Sequence, residues 1–173
     1  RYFPTKGLKT NISYTIYTNL HTNTAYSSLA AQVTKIFPIT LNTFIIPTIY
    51  GRFIFNDGIP FMYSNVIGGE GYNPHYEQQI PFSGLTHTES TLKLLGNAQI
   101  QVRHKFHEKQ YLTLSGNYAI HQNQFSNFLQ GKKIYGTSIG YGYDSPLGPI
   151  EGFICYSNRT NKLGFYLNIG FGF

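Results

Sequence analysis

The sequence predicts an all-β protein, an antiparallel transmembrane β-barrel of about eight strands. Three observations carry that expectation. Apolar and polar residues alternate at period two in segment after segment, while helix signals are nearly absent. Aromatic residues make up 17% of the chain, as 15 Tyr and 14 Phe with no Trp, and Gly contributes 18 of 173 residues. Charged residues are only 12%, where an ordinary soluble domain carries roughly 25%. So few charges would leave a water-exposed surface poorly covered. A barrel in lipid instead needs an apolar, aromatic exterior.

The strands can be justified in chain order. "NISYTIYTNL" sets Ile12, Tyr14 and Ile16 against Ser13, Thr15 and Tyr17. "SSLAAQVTKIF" offers Leu29, Ala31 and Val33. "TFIIPTIYGRFIF" (43–55) is rich in β-formers, although Pro47 removes one ladder donor. "GNAQIQVRHKF" sets Ala98, Ile100 and Val102 against Gln99, Gln101 and Arg103. "YLTLSGNYAI" sets Leu112, Leu114, Tyr118 and Ile120 against Thr113, Ser115 and Asn117. "YGTSIGYGYD" sets Tyr135, Thr137, Ile139, Tyr141 and Tyr143 against Gly136, Ser138, Gly140, Gly142 and Asp144. "IEGFICYSN" is short and mixed. The last segment, "KLGFYLNIGFGF", is the cleanest: Leu163, Phe165, Leu167, Ile169, Phe171 and Phe173 share one face. The opposite face holds Gly, Tyr and Asn with one Lys, which suits a lumen better than bulk water. No stretch approaches the roughly 18 to 20 apolar residues of a membrane helix.

The connections separate into two kinds. "PITLN" (38–42), "HEKQ" (107–110) and "SPLGP" (145–149) are tight, and "HQNQFSNFLQGKK" (121–133) is longer. The segment from about 56 to 91 is the longest and holds Gly68-Gly69, Pro74 and Pro81. Short turns at one end and long loops at the other follow the outer-membrane pattern; "RTNK" (159–162) falls on the long-loop side but is short. Residues 1–173 thus read as one barrel domain with a long inward-folding loop. The chain opens on Arg1 with no Met and no signal peptide, so it reads as part of a longer, processed or trimmed protein.

The net charge is +6, but the 13 Lys and Arg are scattered, with no run longer than Lys132-Lys133. Basic loops beside anionic head groups or lipopolysaccharide account for this, and no nucleic-acid partner is expected. Cys155 is the only cysteine, which excludes an internal disulfide. Of the six His (21, 75, 87, 104, 107 and 121), His104 and His107 are three apart and fall on opposite strand faces. No metal or other cofactor is expected.

Gly136-Thr137-Ser138-Ile139-Gly140 matches G-x-S-x-G, the string of the serine-hydrolase nucleophile elbow. The elbow requires a strand, a sharp turn and a helix, and here the alternation continues through Tyr143. Ser138 therefore reads as a small lumenal residue, and no catalytic residue is expected in this segment. Asp57, in "NDG", and Asp144, before "SP", read as turn residues. Glu151 reads as a lumenal carboxylate facing Arg103 or Lys162. Two other classes compete with the membrane barrel: a soluble lipocalin-like binding barrel, and a hydrolase using Ser138.

The order of several motifs resembles a known family. "YFPTKG" (2–7) opens a strand; "GG" (68–69) and "PFSGL" (81–85) lie in the long loop. "GTSIGYGYDSPLGPIE" (136–151) forms two strands around a tight turn, and "LNIGFGF" (167–173) closes the chain. This order resembles the C-terminal part of the bacterial surface-antigen outer-membrane barrels. That superfamily includes assembly factors, two-partner secretion transporters and barrels attached to patatin-like phospholipases. The resemblance implies that the chain is the last eight or so strands of a sixteen-strand plan. The segment then closes alone, forms half of a larger barrel, or pairs as a homodimer. It also implies that the loop motif Pro81, Phe82, Ser83 and Gly84 lies in the lumen. The terminal strand, with Phe165, Phe171 and Phe173, would be the signal read by the barrel-assembly machinery. Assembly factors and transporters carry Val-Arg-Gly-Phe/Tyr in this loop; here Ser83-Gly84-Leu85 stands where Arg-Gly-Phe would be. "IPFSGL" looks more like barrels fused to patatin-like lipases of Bacteroidetes-type Gram-negative bacteria. The implied function is to anchor, or help translocate, an attached lipase domain lying upstream of Arg1, with an assembly or secretion barrel of the same family as the alternative.

Overall fold

The computed structural model describes residues 5–19, 23–69, 78–85, 87–146 and 148–170. Its strands are β1 (Gly7–Asn19), β2 (Thr24–Pro38), β3 (Thr43–Ile54), β4 (Asn65–Ile67), β5 (Gln79–Ile80), β6 (Glu89–Thr91), β7 (Leu94–His107), β8 (Gln110–Gln122), β9 (Lys132–Ser145), β10 (Gly148–Ser157) and β11 (Leu163–Ile169). Eight of them form one sheet in the order β1-β2-β3-β7-β8-β9-β10-β11, antiparallel throughout. Each segment that alternates in the sequence supplies one of these strands. The sheet is open: among the described residues β1 and β11 are its two edges. Seven of the eight strands have 10 to 15 residues, enough to span a hydrocarbon core when tilted.

Pleating puts successive side chains on opposite faces, and the burial strings follow it. Along β9, Ile134, Gly136, Ser138, Gly140 and Gly142 are buried while Tyr135, Thr137, Ile139 and Tyr141 are exposed. Along β8, Tyr111, Thr113, Ser115, Asn117 and Ala119 are buried against exposed Leu112, Leu114 and Tyr118. The convex face therefore carries Ile12, Val33, Ile49, Ile100, Leu114, Ile139, Ile154 and Leu167 into the surroundings. Aromatic side chains collect near strand ends on this face. Phe106 lies beside Tyr141 near the short turns, and Phe53 packs on Phe55 and Phe125 at the loop end. A soluble lipocalin-like barrel requires the reverse, apolar inside and polar outside. The observed polarity is that of a sheet facing lipid.

Two departures from the sequence pattern have local causes. Pro47 stands in an interior strand, a position proline rarely takes. The β2–β3 pairing lapses there, between Thr34↔Thr48 and Phe37↔Ile45, which is where the missing N–H would have donated. Phe153, in the segment that reads as mixed, has the inward parity of Glu151 and Cys155. Its ring fills the gap left by Gly140, where an added Cβ would lie 2.2 Å from Cδ1.

The long connection between β3 and β7 is more ordered than a loop. It forms a 3₁₀ turn at Phe61–Tyr63 and a second sheet of order β5-β4-β6. β4 runs parallel to β5 and antiparallel to β6. No alternation longer than three residues marks these strands, so the sequence pattern misses them. The small sheet packs into the concave face of the large one. The buried core is this contact: Ile67, Ile80, Phe82 and Leu85 from the connection against Leu95, Ala119 and Ile134 from the wall.

Candidate functional site: the plugged concave face

Three adjacent interior strands, β7, β8 and β9, make the wall on which the connection sits. The row Gln101–Ser115–Ser138–Cys155–Gly164 crosses the sheet from β7 to β11. Small side chains in its middle leave a recess, and the Pro81-Phe82-Ser83-Gly84 segment enters it. Phe82 is wholly buried and Ser83 and Leu85 nearly so. Ser83 Oγ lies 3.1 Å from Ser115 Oγ and 3.2 Å from Ser138 Oγ, and those two hydroxyls are 2.5 Å apart. With its amide oriented so that both ends are satisfied, Asn117 accepts the Ser83 N–H at 2.7 Å and donates to Gly116 O at 3.1 Å. Each polar group of this seat thus meets a partner instead of standing desolvated.

Two glycines make this approach possible. A Cβ on Gly136 would lie 1.9 Å from the Ser83 carbonyl oxygen. Gly84, at φ +83°, occupies the left-handed region and approaches so closely that a Cβ would meet the Tyr156 backbone at 2.3 Å. The turn at 82–85 closes through Leu85 N–H to Phe82 O at 3.2 Å. It is tied to Gly69 through Gly69 N–H to Leu85 O at 2.6 Å and Phe82 N–H to Gly69 O at 3.0 Å.

The base of the plug is fastened separately. Arg52 on β3, 5% exposed, donates to Ser64 O (3.3 Å), Asn65 Oδ1 (3.0 Å) and Ser28 Oγ (3.0 Å). Fully buried Asn65 in turn donates to Leu92 O (2.7 Å) and Lys93 O (2.9 Å), clamping the exit of the connection to its entrance. Asp57, a turn residue by sequence, pairs with Lys93. On the far side Arg159 Nε donates to Glu89 Oε2 at 3.0 Å, joining the β10–β11 turn to β6. None of these pairs is legible in the sequence, because each joins positions far apart in the chain.

Two recesses flank the plug. One, of about 150 Å³, lies among Pro81, Phe82, Ser83, Arg103, Thr113 and Glu151; Arg103 and Glu151 therefore share a cavity. The other, of about 400 Å³, lies between the plug and the inner side of β1–β3.

The remaining residues singled out by sequence fall as follows. Ser138 sits within β9, which continues to Ser145, so the G-x-S-x-G string lies wholly in a strand with no helix after it. Its hydroxyl meets only Ser115 and Ser83 among the described residues. Phe165 points outward from the edge strand β11 and is 67% exposed. Phe171 and Phe173 lie outside the described residues, as do His21, His75 and Pro74. His104 Nδ1 is 3.0 Å from Thr43 Oγ1. Among the described residues no group of three or more His, Cys, Asp or Glu is placed to hold a metal.

No curated protein matches the chain. The family model of the OMP85 superfamily matches residues 1–173. That family consists of outer-membrane barrels, the same superfamily as the surface-antigen barrels that the motif order resembles. An apolar convex face, a polar concave face and a long connection folded into it are what such a barrel requires. The chain belongs to the OMP85 superfamily.

Proposed function

We propose that this segment is the membrane anchor of a longer protein, holding a patatin-like lipase domain at the outer membrane or helping it across. The observation that carries the reading is the seating of Ser83-Gly84 on Ser115, Ser138 and Gly136. The plug tip is neutral and small where the assembly factors and transporters carry an arginine. A tip held by hydroxyls and close backbone packing favours a standing plug, and hence anchoring, over insertion or secretion. Outer-membrane lipid and lipopolysaccharide cover the convex face, and the barrel-assembly machinery reads the terminal aromatic strand. Ser138 serves packing here; the catalytic serine belongs to the attached domain.

The edges at β1 and β11, unpaired among the described residues, favour a barrel completed by further strands, as half of a sixteen-strand plan. Closure of β1 on β11 and pairing of two copies are the other ways to remove both edges. The test compares this segment with the whole gene product after refolding in detergent. The whole product should show heat-modifiable migration in gel electrophoresis and a lipase activity that survives Ser138→Ala. A lipase activity abolished by Ser138→Ala, or a segment monodisperse in plain buffer, sinks the reading.

A further inference from the structure

The larger recess has a chemistry that plugging does not use. Arg52 lines it, yet all three acceptors of its guanidinium are neutral: a carbonyl, an amide oxygen and a hydroxyl. A guanidinium has five N–H donors, so two meet no acceptor among the described residues. Burying a charge without an opposite charge is costly. Among the described residues the recess thus holds a cation with no anion beside it. Gln32, Gln99, Tyr17 and Tyr50 complete a lining that both donates and accepts. By strand parity the concave wall carries Lys9, Arg52, Arg103, Lys105 and Lys132 against Asp144 and Glu151, so the field across it is net positive.

We propose that this recess binds a small hydroxylated organic anion of the acidic-sugar class, its carboxylate on Arg52 and its hydroxyls on the Gln32 and Gln99 side chains. The volume of about 400 Å³ accommodates a ligand of that size. The inference rests on the concave face being the barrel lumen. The test is titration calorimetry of the whole gene product refolded in detergent, with glucuronate, glucose and sulfate as probes. Glucuronate should bind saturably and at least tenfold more tightly than glucose, and sulfate should compete with it. Arg52→Gln should weaken glucuronate at least tenfold, and Arg52→Lys should weaken it less. Gln99→Ala should weaken glucuronate and leave sulfate unchanged. Glucuronate binding no tighter than glucose, or unaffected by Arg52→Gln, overturns the proposal. If Arg52→Gln does not fold, failure of sulfate to compete on the wild-type protein overturns it equally. Heat-modifiable migration of the same samples reports on the barrel separately.

Discussion

Gly136→Ala should unseat the plug, and Cys155 should report it. The added methyl would lie 1.9 Å from Ser83 O, 3.0 Å from Ser83 C and 3.1 Å from Tyr156 O, all backbone atoms that cannot rotate away. Restoring an ordinary contact moves the 81–85 segment back by roughly 1 Å or more. A shift of that size takes the Ser83 hydroxyl contacts, at 3.1 and 3.2 Å, beyond hydrogen-bond range. Two lost hydrogen bonds cost about 2 kcal/mol. Partial exposure of Phe82 and Leu85 adds about 1 to 2 kcal/mol. About 3 kcal/mol in total raises the population of the unseated state roughly a hundredfold. Cys155 is the only cysteine, 2% exposed, and pairs in register with Ser138 beneath the plug. Its reaction with a maleimide under native conditions should therefore accelerate by about two orders of magnitude. Wild-type labelling kinetics in Gly136→Ala, with heat-modifiability retained, would refute the argument that the plug tip rests on this glycine.

Three further outcomes are expected. Ile100→Lys puts a charge on the convex face and should destabilise the barrel by about 2 to 4 kcal/mol, read as a fall in the temperature of the gel-mobility transition. Gln99→Lys, one residue away on the concave face, should cost far less; equal losses would mean that the faces are misassigned. Asn65→Ala removes the clamp on Leu92 and Lys93 and leaves Arg52 short of an acceptor, costing about 3 kcal/mol or more. Protease cleavage within the 55–93 connection should become faster, and an unchanged cleavage rate would count against the clamp. Gly140→Ala should destabilise by about 1 to 3 kcal/mol through overpacking against the Phe153 ring, with much of the loss recovered in Gly140→Ala/Phe153→Leu. Additive losses in the double variant would show that the two residues do not share the space.

The strands and their faces were legible because alternation is local. Leu163, Phe165, Leu167 and Ile169 point outward for the same reason that they read as one face of a string: successive side chains of a strand point oppositely. The tight turns and the long connection were legible from Gly, Pro and Asn content. The inward set of the β10 segment was not, since Phe153 is large and apolar and only the empty space over Gly140 admits it. The small sheet of the plug was invisible because strands of two and three residues carry no period.

Sequence by itself thus determined an antiparallel sheet with one apolar and one polar face, and the order of its turns. Tertiary structure decided what the polar face is for. Ser83 and Ser138 are 55 residues apart, Arg52 and Asn65 are 13 apart and Asn65 and Lys93 are 28 apart. Nothing in the local pattern couples such positions. They meet because a sheet with glycine and serine at its centre leaves a recess, and the connection between β3 and β7 is long enough to fold back and fill it. The same placement, and not the string Gly-Thr-Ser-Ile-Gly, defines the surroundings of Ser138. It also leaves Arg52 at the edge of a polar recess with no anion beside it among the described residues.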